Sequence, residues 1–421
     1  MIIDQNDFNL VNEEQIQVFV GKNGSGKTYS FNNALNLDMD RKIMLIDEEG
    51  IPHINNGKAK VKITSSKEYY FYDDEKNKGQ PNSIEGERVV INDVSRKVIE
   101  YAETIILKIR VFKNLSKGQE KIRNIINIFT EYNLNDIKYI FFDEPENYLD
   151  EQYMLELSNF INFLVESGYK IRIATHSPKL LYLLPIAIDK IYLLTFFDGK
   201  CKIFNITNDE IDLFYEECAS AIELKRKENP DCGEDSGIKY KLNIFSNHDV
   251  FDIFKRRVIN SEELYGCLFF DQIIIVEGVS DKVAVDYVKH SFGFTTQDFS
   301  PNGKAFIPFF IRLFTSLGKR IIVIIDEDDV NKHSYAITKY IEERKNKDIL
   351  VVLHNPDIEG EYGIWNDEVL QEKIKMPRRL EKSGDHKYFS SALFFLAEEK
   401  QELLKKNIGL KENIREDLNF A

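Results

Sequence analysis

The sequence predicts an α/β chain made of two modules, each built on a parallel sheet whose strands deliver polar residues from their carboxyl ends. Three observations carry this. The apolar run Ile16–Val20 leads directly into Gly21-Lys22-Asn23-Gly24-Ser25-Gly26-Lys27-Thr28, the pattern of a strand, a tight turn and a helix start. Further on, the buried-type run 139–142 ends in Asp143-Glu144, and the run 171–174 ends in Thr175-His176. The arrangement then returns, with residues 273–276 followed by Glu277-Gly278 and residues 321–325 followed by Asp326-Glu327-Asp328. Carboxyl ends of parallel strands are where such folds place their chemistry. A length of 421 residues accommodates two domains, each large enough for its own core.

The glycine-rich string is a full Walker A pattern. Glycines at 21, 24 and 26 allow backbone N–H groups, that of Asn23 among them, to curl around phosphate oxygens. Lys27 adds positive charge near the β and γ phosphates, and Thr28 is placed to hold Mg2+, so the expected cofactor is ATP with magnesium. Downstream, Ser116 and Gln119 have capping-box spacing, and Ile122, Ile125, Ile126 and Phe129 form one apolar helical stripe. A helix starting there offers free N–H donors to an anion at Ser116 and Gly118. After the third strand, Ser177 and Pro178 fit the N-cap and first position of another helix.

In this order the strings GKNGSGKT, LSKGQ, FFDEPENYLD and ATHSP resemble the motifs of ABC-type ATPases. The resemblance implies that Ser116 and Gly118 reach the γ phosphate held by a second protomer, giving an ATP-sandwiched homodimer. It also implies that Asp143 orients Mg2+ through water, that Glu144 is the general base for the attacking water, and that His176 is a switch histidine sensing the γ phosphate. Residues 147–150 resemble the loop that crosses such an interface. Residues 29–114 carry Gly57, Gly79, Pro81 and Gly86 without a sustained heptad pattern, which excludes a long coiled-coil arm and predicts a compact head.

The C-terminal half reads as a carboxylate site. Gly278 permits a tight turn after the first strand, so Glu277 and Asp281 can face one point. Alternate residues of an extended chain share a face, which predicts that Asp326 and Asp328 converge while Glu327 points away. A third strand, 349–353, precedes Asp357, Glu359 and Glu361, which compete for a further ligand position; Glu361 also reads as a helix cap. Carboxylates clustered in this way suit Mg2+ or Mn2+.

Glu277 with the Asp326-Glu327-Asp328 strand end resembles the Toprim domain, and Gly303-Lys304, Leu317-Gly318-Lys319-Arg320 and Gly384-Asp385-His386-Lys387 further resemble the overcoming-lysogenization-defect (OLD) nucleases. The expected architecture is therefore an ABC-type P-loop ATPase head at 1–215, a linker or helical dimerisation segment at 216–265, and a Rossmann-like Toprim domain at 266–421. That segment is short beside many OLD proteins. The resemblance implies an ATP-regulated, metal-dependent endonuclease with DNA favoured as substrate. Glu277, Asp326 and Asp328 would hold two divalent ions, Asp281 and Glu359 would be additional ligands, and Lys387 would offset charge on the scissile phosphate. Gabija and some retron systems use such effectors in anti-phage defence, which implies a partner such as a helicase-like protein or a reverse transcriptase with its single-stranded DNA. A different class stays open, an ATPase sensor or scaffold whose Toprim domain binds nucleic acid or a partner without cutting, as does a Toprim RNase acting on tRNA.

A formal net charge of −14 disfavours generic polyanion binding, so nucleic acid would have to be met locally. Lys255-Arg256-Arg257 and the cluster Lys373, Lys375, Arg378, Arg379 and Lys382 are candidates, whereas Lys225-Arg226-Lys227 reads as a solvated face. Cys201, Cys218, Cys232 and Cys267 show no CxxC pairing and no leader precedes the first strand, pointing to a reducing cytoplasm. The most apolar stretch, 180–197, is broken by Pro185, Asp189 and Lys190 and predicts a helix followed by a strand.

Overall fold

The structure is a computed structural model that describes residues 2–4, 9–22, 24–37, 42–54, 60–63, 69–72, 92–109, 115–132, 134–197, 200–229, 252–289, 296–301, 303–330, 334–364, 367 and 390–407. Asn23, Cys232, Trp365, Lys387 and the basic cluster from Lys373 to Lys382 lie outside these residues. The chain divides into two compact units, Met1–Asn205 and Ile206–Ala421.

In the first unit the strands are, in chain order, β1 (Ile2–Asp4), β2 (Ile16–Val20), β3 (Ile43–Ile46), β4 (Pro52–Ile54), β5 (Lys60–Ile63), β6 (Tyr69–Tyr72), β7 (Tyr139–Asp143), β8 (Lys170–Thr175), β9 (Ile191–Phe197) and β10 (Lys200–Asn205). Eight of them form one sheet in the order β1-β10-β9-β2-β8-β7-β3-β4, while β5 and β6 pair antiparallel in a separate sheet. The run from β9 to β3 is parallel, with antiparallel strands at both edges. Parallel strands are covered on both faces, which explains why β2 and β7 are mostly apolar and buried. Strand β8 is buried along its length too, although Lys170, Arg172 and Thr175 interrupt its apolar residues. Phe19, Phe31 and Phe141 lock one face, with Phe31 edge-on to Phe19 at 5.7 Å between ring centroids.

The helices of this unit are α1 (Lys27–Leu37), α2 (Asp93–Ile109), α3 (Lys117–Glu131), α4 (Glu151–Glu166) and α5 (Pro178–Leu183). The expected stripe of Ile122, Ile125, Ile126 and Phe129 on α3 is fully buried. Each such side chain contributes about 1.5–3 kcal/mol on burial, so packing rather than propensity fixes this helix and the polar residues at its start. The most consequential feature is strand order. Because β8 lies between β2 and β7, the ends carrying the glycine-rich loop, Asp143 and Thr175 are neighbours in space.

In the second unit α6 (Asn208–Glu228) opens with a capping box between Thr207 and Glu210. The first part of the segment expected as a linker or helical dimerisation segment is regular helix, held by Glu217 to Arg312 at 3.1 Å and by Lys225 to Glu343 at 2.6 Å. Arg226 and Lys227 pair with Glu223 on the same helix, as a solvated face would. A π-helical turn at Lys255–Ile259 follows, and Lys255 pairs with Asp212. Beyond it come α7 (Glu262–Cys267), β11 (Gln272–Val276), α8 (Val279–Val288), β12 (Thr296–Phe299), a 3-10 turn at Lys304–Phe306, α9 (Ile307–Ser316), β13 (Arg320–Asp326), α10 (Tyr335–Glu342), β14 (Ile349–His354), α11 (Ile358–Glu361) and α12 (Glu398–Asn407). The four strands pair in the order β12-β11-β13-β14, all parallel. Ile274, Val276, Ile322, Ile324 and Val352 share a core with α8, Phe394 and Phe395. Elsewhere Phe254 stacks on Phe306 at 4.5 Å and meets Phe309 edge-on at 5.4 Å.

Among the described residues no helix is long and apolar enough to cross a membrane, and residues 180–197 form α5 and β9 as expected. Cys201, Cys218 and Cys267 are buried thiols outside any disulfide.

Candidate active sites

The first site lies where β2, β8 and β7 end. Gly24 and Gly26 have φ of 82° and 94°, a region open to glycine at little cost, which is why the loop needs them. Gly21 is required for another reason: a Cβ there would sit 2.5 Å from the Leu194 carbonyl oxygen. Lys27 is buried, and its ammonium donates to the carbonyls of Gly21 at 2.8 Å and Lys22 at 3.3 Å. Burial lowers its pKa against the opposing pull of Glu144, Asp143 and Glu146. Asp143 closes β7 beside it. Burial raises this carboxyl, helped by Glu144 and Glu48 and opposed by the Thr28 hydroxyl and Lys27. Its Oδ1 is buried without a partner among the described residues. An oxygen left in that state next to Thr28 and a lysine loop fits a site completed by magnesium and phosphate.

Glu144 adopts φ 46°, a left-handed conformation that a non-glycine side chain takes only when its surroundings enforce it. The enforcement is visible in its main chain, whose N–H donates to Ala174 O at 2.8 Å while its carbonyl accepts from Lys121 at 3.1 Å. The turn brings the carboxylate to 3.9 Å from Lys27 Nζ and 3.4 Å from His176 Nδ1. Asn147 Nδ2 donates to its other oxygen at 3.2 Å.

Two members of this site escape a motif reading. Glu146 is buried and accepts from the Thr175 hydroxyl and, at 3.1 Å, from the His176 N–H. Burial raises its pKa, with Thr175 opposing. It holds the end of β8 and lies 3.7 Å from the His176 ring, so it positions the switch candidate. Lys121, a buried lysine on α3, donates to the carbonyls of Glu48 and Glu144. It ties the helix that starts at the signature string to the strand end that carries the base candidate.

Ser116 caps α3 with the reciprocal bonds its spacing predicts, Gln119 N to Ser116 Oγ at 3.2 Å and Ser116 N to Gln119 Oε1 at 2.9 Å. Gly118 packs against the loop that follows Glu144: a Cβ there would meet Tyr148 O at 2.5 Å. That obstacle is main chain and cannot swing aside. Gly118→Ala is therefore expected to destabilise the full chain by about 1–3 kcal/mol in urea unfolding. Gly266→Ala, where a Cβ meets nothing within 4 Å, is expected to be neutral or mildly stabilising. Equal midpoints for the Gly118 variant and wild type would show that residues 147–150 do not rest on this helix.

The second site gathers at the carboxyl ends of β11, β13 and β14. Glu277 accepts from the Asp326 N–H at 3.1 Å and pairs with Lys304 at 3.0 Å. Burial raises its pKa, opposed by Lys304. Lys304 itself is 2% exposed, and its ammonium reaches Asp326 O at 2.7 Å, Thr338 Oγ1 at 3.3 Å and the Asp328 carboxylate. Asp328 also accepts from the Thr338 hydroxyl at 2.8 Å. For Asp328 burial works upward, but Lys304 with Ser334 and Thr338 outweighs it and holds the carboxyl below its usual range.

Asp326 faces other partners. Its carboxylate, an oxygen of Asp281 and a ring nitrogen of His354 lie within 4.8 Å of one another. Asp326 and His354 are register partners on adjacent parallel strands, so their side chains leave the sheet on the same side. Asp281 binds the Gly278 N–H at 3.1 Å through Oδ2, while Oδ1 of both aspartates is buried without a partner among the described residues. Burial, then Asp281 and Glu277, push the Asp326 carboxyl up to about 8. Ions favour such a donor set, because two orphaned carboxylate oxygens and an imidazole otherwise stay unsatisfied. Glu359 is buried beside this group and accepts from the Ser280 hydroxyl at 2.8 Å, whereas Asp357 caps Gly360 N and Glu361 accepts from Asn355 N. The structure thus brings Glu277, Asp281 and Asp326 together, directs Asp328 to Lys304, and adds Lys304 and His354.

Residues 268–328 match the model of the overcoming lysogenization defect protein-like Toprim domain. They form an OLD-like Toprim domain. The match contains Glu277, Asp281, Lys304, Asp326 and Asp328, while His354 and Glu359 lie beyond it. The chain is also 35% identical over 107 residues to a putative ABC transporter ATP-binding protein of Pyrococcus horikoshii, a stretch covering 25% of this chain and 38% of that protein's length. Among solved structures, the SMC head domain from Thermotoga maritima is similar at 14% identity, covering 47% of this chain and 91% of that one with a TM-score of 0.25. An archaeal ribosome recycling factor in complex with a ribosomal stalk protein is similar at 12% identity, covering 81% and 91% with a TM-score of 0.29. With its ATPase motifs on the first unit and Toprim on the second, the chain has the OLD-type order of ATPase and Toprim modules.

Proposed function

We propose that the chain is an ATP-regulated, divalent-metal-dependent nuclease that cleaves nucleic acid, with DNA as the favoured substrate, and that it serves as an effector of anti-phage defence. The observation that supports this most is the Toprim site, where Asp281 and Asp326 converge with orphaned buried oxygens and Glu277 binds the Asp326 N–H beside them. A bound Mg2+ or Mn2+ would polarise the scissile phosphate and acidify a water. Asp281 and Asp326 would hold the ion, and Glu277 orients the Asp326 strand end through its N–H. Lys304 keeps the Glu277 and Asp328 carboxylates apart from one another's charge by standing between them. Lys387 would meet the phosphate. In the first unit Lys27 neutralises nucleotide phosphates, and Glu144 accepts the proton of the attacking water.

ATP would regulate cutting by joining two copies across the Walker A loop of one and the Ser116–Gly118 helix start of the other. A partner encoded nearby, helicase-like or a reverse transcriptase with its single-stranded DNA, would supply the trigger. Purified protein incubated with plasmid or tRNA and Mg2+ or Mn2+, with and without ATP, is expected to cut plasmid in a metal-dependent way that ATP modulates. Cleavage of tRNA alone would move the substrate to RNA. No cleavage of either under any metal and nucleotide condition, with ATP hydrolysis intact, would overturn the nuclease.

A further inference from the structure

We infer that His354 is a direct ligand of the divalent ion at Asp281 and Asp326, so that the Toprim site has a nitrogen donor and selects Mn2+ over Mg2+. This deepens the nuclease reading and rests on the same site. His354 is fully buried, and neither ring nitrogen has a hydrogen-bond partner among the described residues. A buried imidazole with both nitrogens idle is unusual, since interior polar atoms almost always find partners. Its Nδ1 lies 3.7 Å from Asp281 Oδ1, too far for a hydrogen bond. The same spacing suits two donors on one ion, since bonds of about 2.0–2.2 Å put neighbouring donors roughly 3–4 Å apart.

Two competing accounts fail on the local contacts. Lys304 is the nearby cation able to balance these aspartates, but its ammonium is taken up by Glu277, Asp328, Thr338 and the Asp326 carbonyl. A packing role for the ring is satisfied by Tyr362, which meets it edge-on at 5.6 Å between centroids, yet that contact uses the ring's face and edge and leaves the nitrogens unanswered. The position is also dictated by topology. His354 ends β14 in register with Asp326 at the end of β13, so the strand pairing that builds the sheet also brings the imidazole to the carboxylate. All-oxygen sites suit Mg2+, and replacing one oxygen with imidazole shifts preference toward Mn2+ and later divalent ions.

The test uses the full chain and Mn2+ as probe. Electron paramagnetic resonance titration gives Mn2+ affinity, Mg2+ competition gives selectivity, and electron spin echo envelope modulation detects a coordinated 14N. Wild type is expected to show imidazole nitrogen modulation, and His354→Gln is expected to lose it together with a drop in Mn2+ affinity of about tenfold or more and a smaller change for Mg2+. Asp326→Asn is expected to lose Mn2+ at this site altogether. Because the nitrogen signal is read on wild type, misfolding of a variant does not shield the inference. Mn2+ bound to wild type without 14N modulation, no Mn2+ bound at all, or modulation that persists in His354→Gln would each overturn it. A nitrogen-coordinated ion in a protein that cuts neither plasmid nor tRNA would uphold the ligand and sink the nuclease; cleavage without nitrogen modulation would do the reverse.

Discussion

Replacing Glu144 with glutamine is expected to lower ATP turnover by about 10²–10⁴-fold, the usual contribution of a positioned general base, while nucleotide still binds. The carboxylate stands at the focus of the site, 3.9 Å from Lys27 and 3.4 Å from His176, on a residue held at φ 46°. Glutamine keeps the length and can keep the Asn147 contact, so the loss would come from basicity rather than shape. Lys27→Ala should fail differently, losing nucleotide binding because the charge facing the phosphates is gone. Phosphate release and nucleotide affinity measured on both variants separate the two roles, and light scattering should show ATP-bound Glu144→Gln accumulating as dimers. Turnover of Glu144→Gln within about twofold of wild type would remove Glu144 as the base and pass that role to another acceptor. Glu146 is then the nearest candidate, since it shares the His176 contact.

The parts of this protein legible in the sequence are those set by local rules. Gly24 and Gly26 announce a positive-φ loop, Ser116 and Gln119 announce a capping box, and the isoleucine stripe of α3 announces its buried face; each depends on residues within a few positions. Strands β7, β11 and β13 also declare themselves by apolar runs that lead into acids. What the sequence hides is made by pairings across long separations. Glu146 sits beside Pro145 in a string that reads as a polar turn, and only the arrival of Thr175 and His176 from β8 buries it. Lys304 gives no sign that its ammonium will end among Glu277, Asp328 and Thr338. His354 follows an apolar run that finishes at Leu353, and its meaning comes from register with Asp326. The alternation argument for Asp326 and Asp328 holds only while the chain stays in a regular strand, but β13 ends at Asp326 and residues 327–329 are irregular, so the two carboxylates find different partners.

Asp326→Asn is expected to abolish nucleic-acid cleavage while raising the thermal stability of the metal-free protein, a pairing of effects that a structural aspartate would not give. The first half follows from removing a carboxylate from the ion's donor set, which leaves the ion's charge less compensated. The second half follows from linkage. The Asp326 carboxyl is pushed from an ordinary value of 3.8 up to about 8 by burial and by Asp281, Glu277 and Asp357, with Lys304 opposing. Between those values the folded chain holds a proton that the unfolded chain has released, so stability falls as pH rises through that window and the loss is complete above about 8. Asparagine cannot ionise, so the variant should lack this component of the slope and gain most at alkaline pH. Each tenfold difference in proton affinity between the folded and unfolded chain corresponds to about 1.4 kcal/mol, and a domain of this size gains about 2–4 °C per kcal/mol, which makes the difference measurable. Melting temperatures of both proteins in EDTA from pH 5 to pH 9 are expected to diverge upward in favour of the variant, and added Mn2+ is expected to stabilise wild type alone. A variant that melts below wild type at every pH would mean that the Asp326 carboxylate is anchored by the fold rather than waiting for a cation, and the metal-site assignment would fall with it.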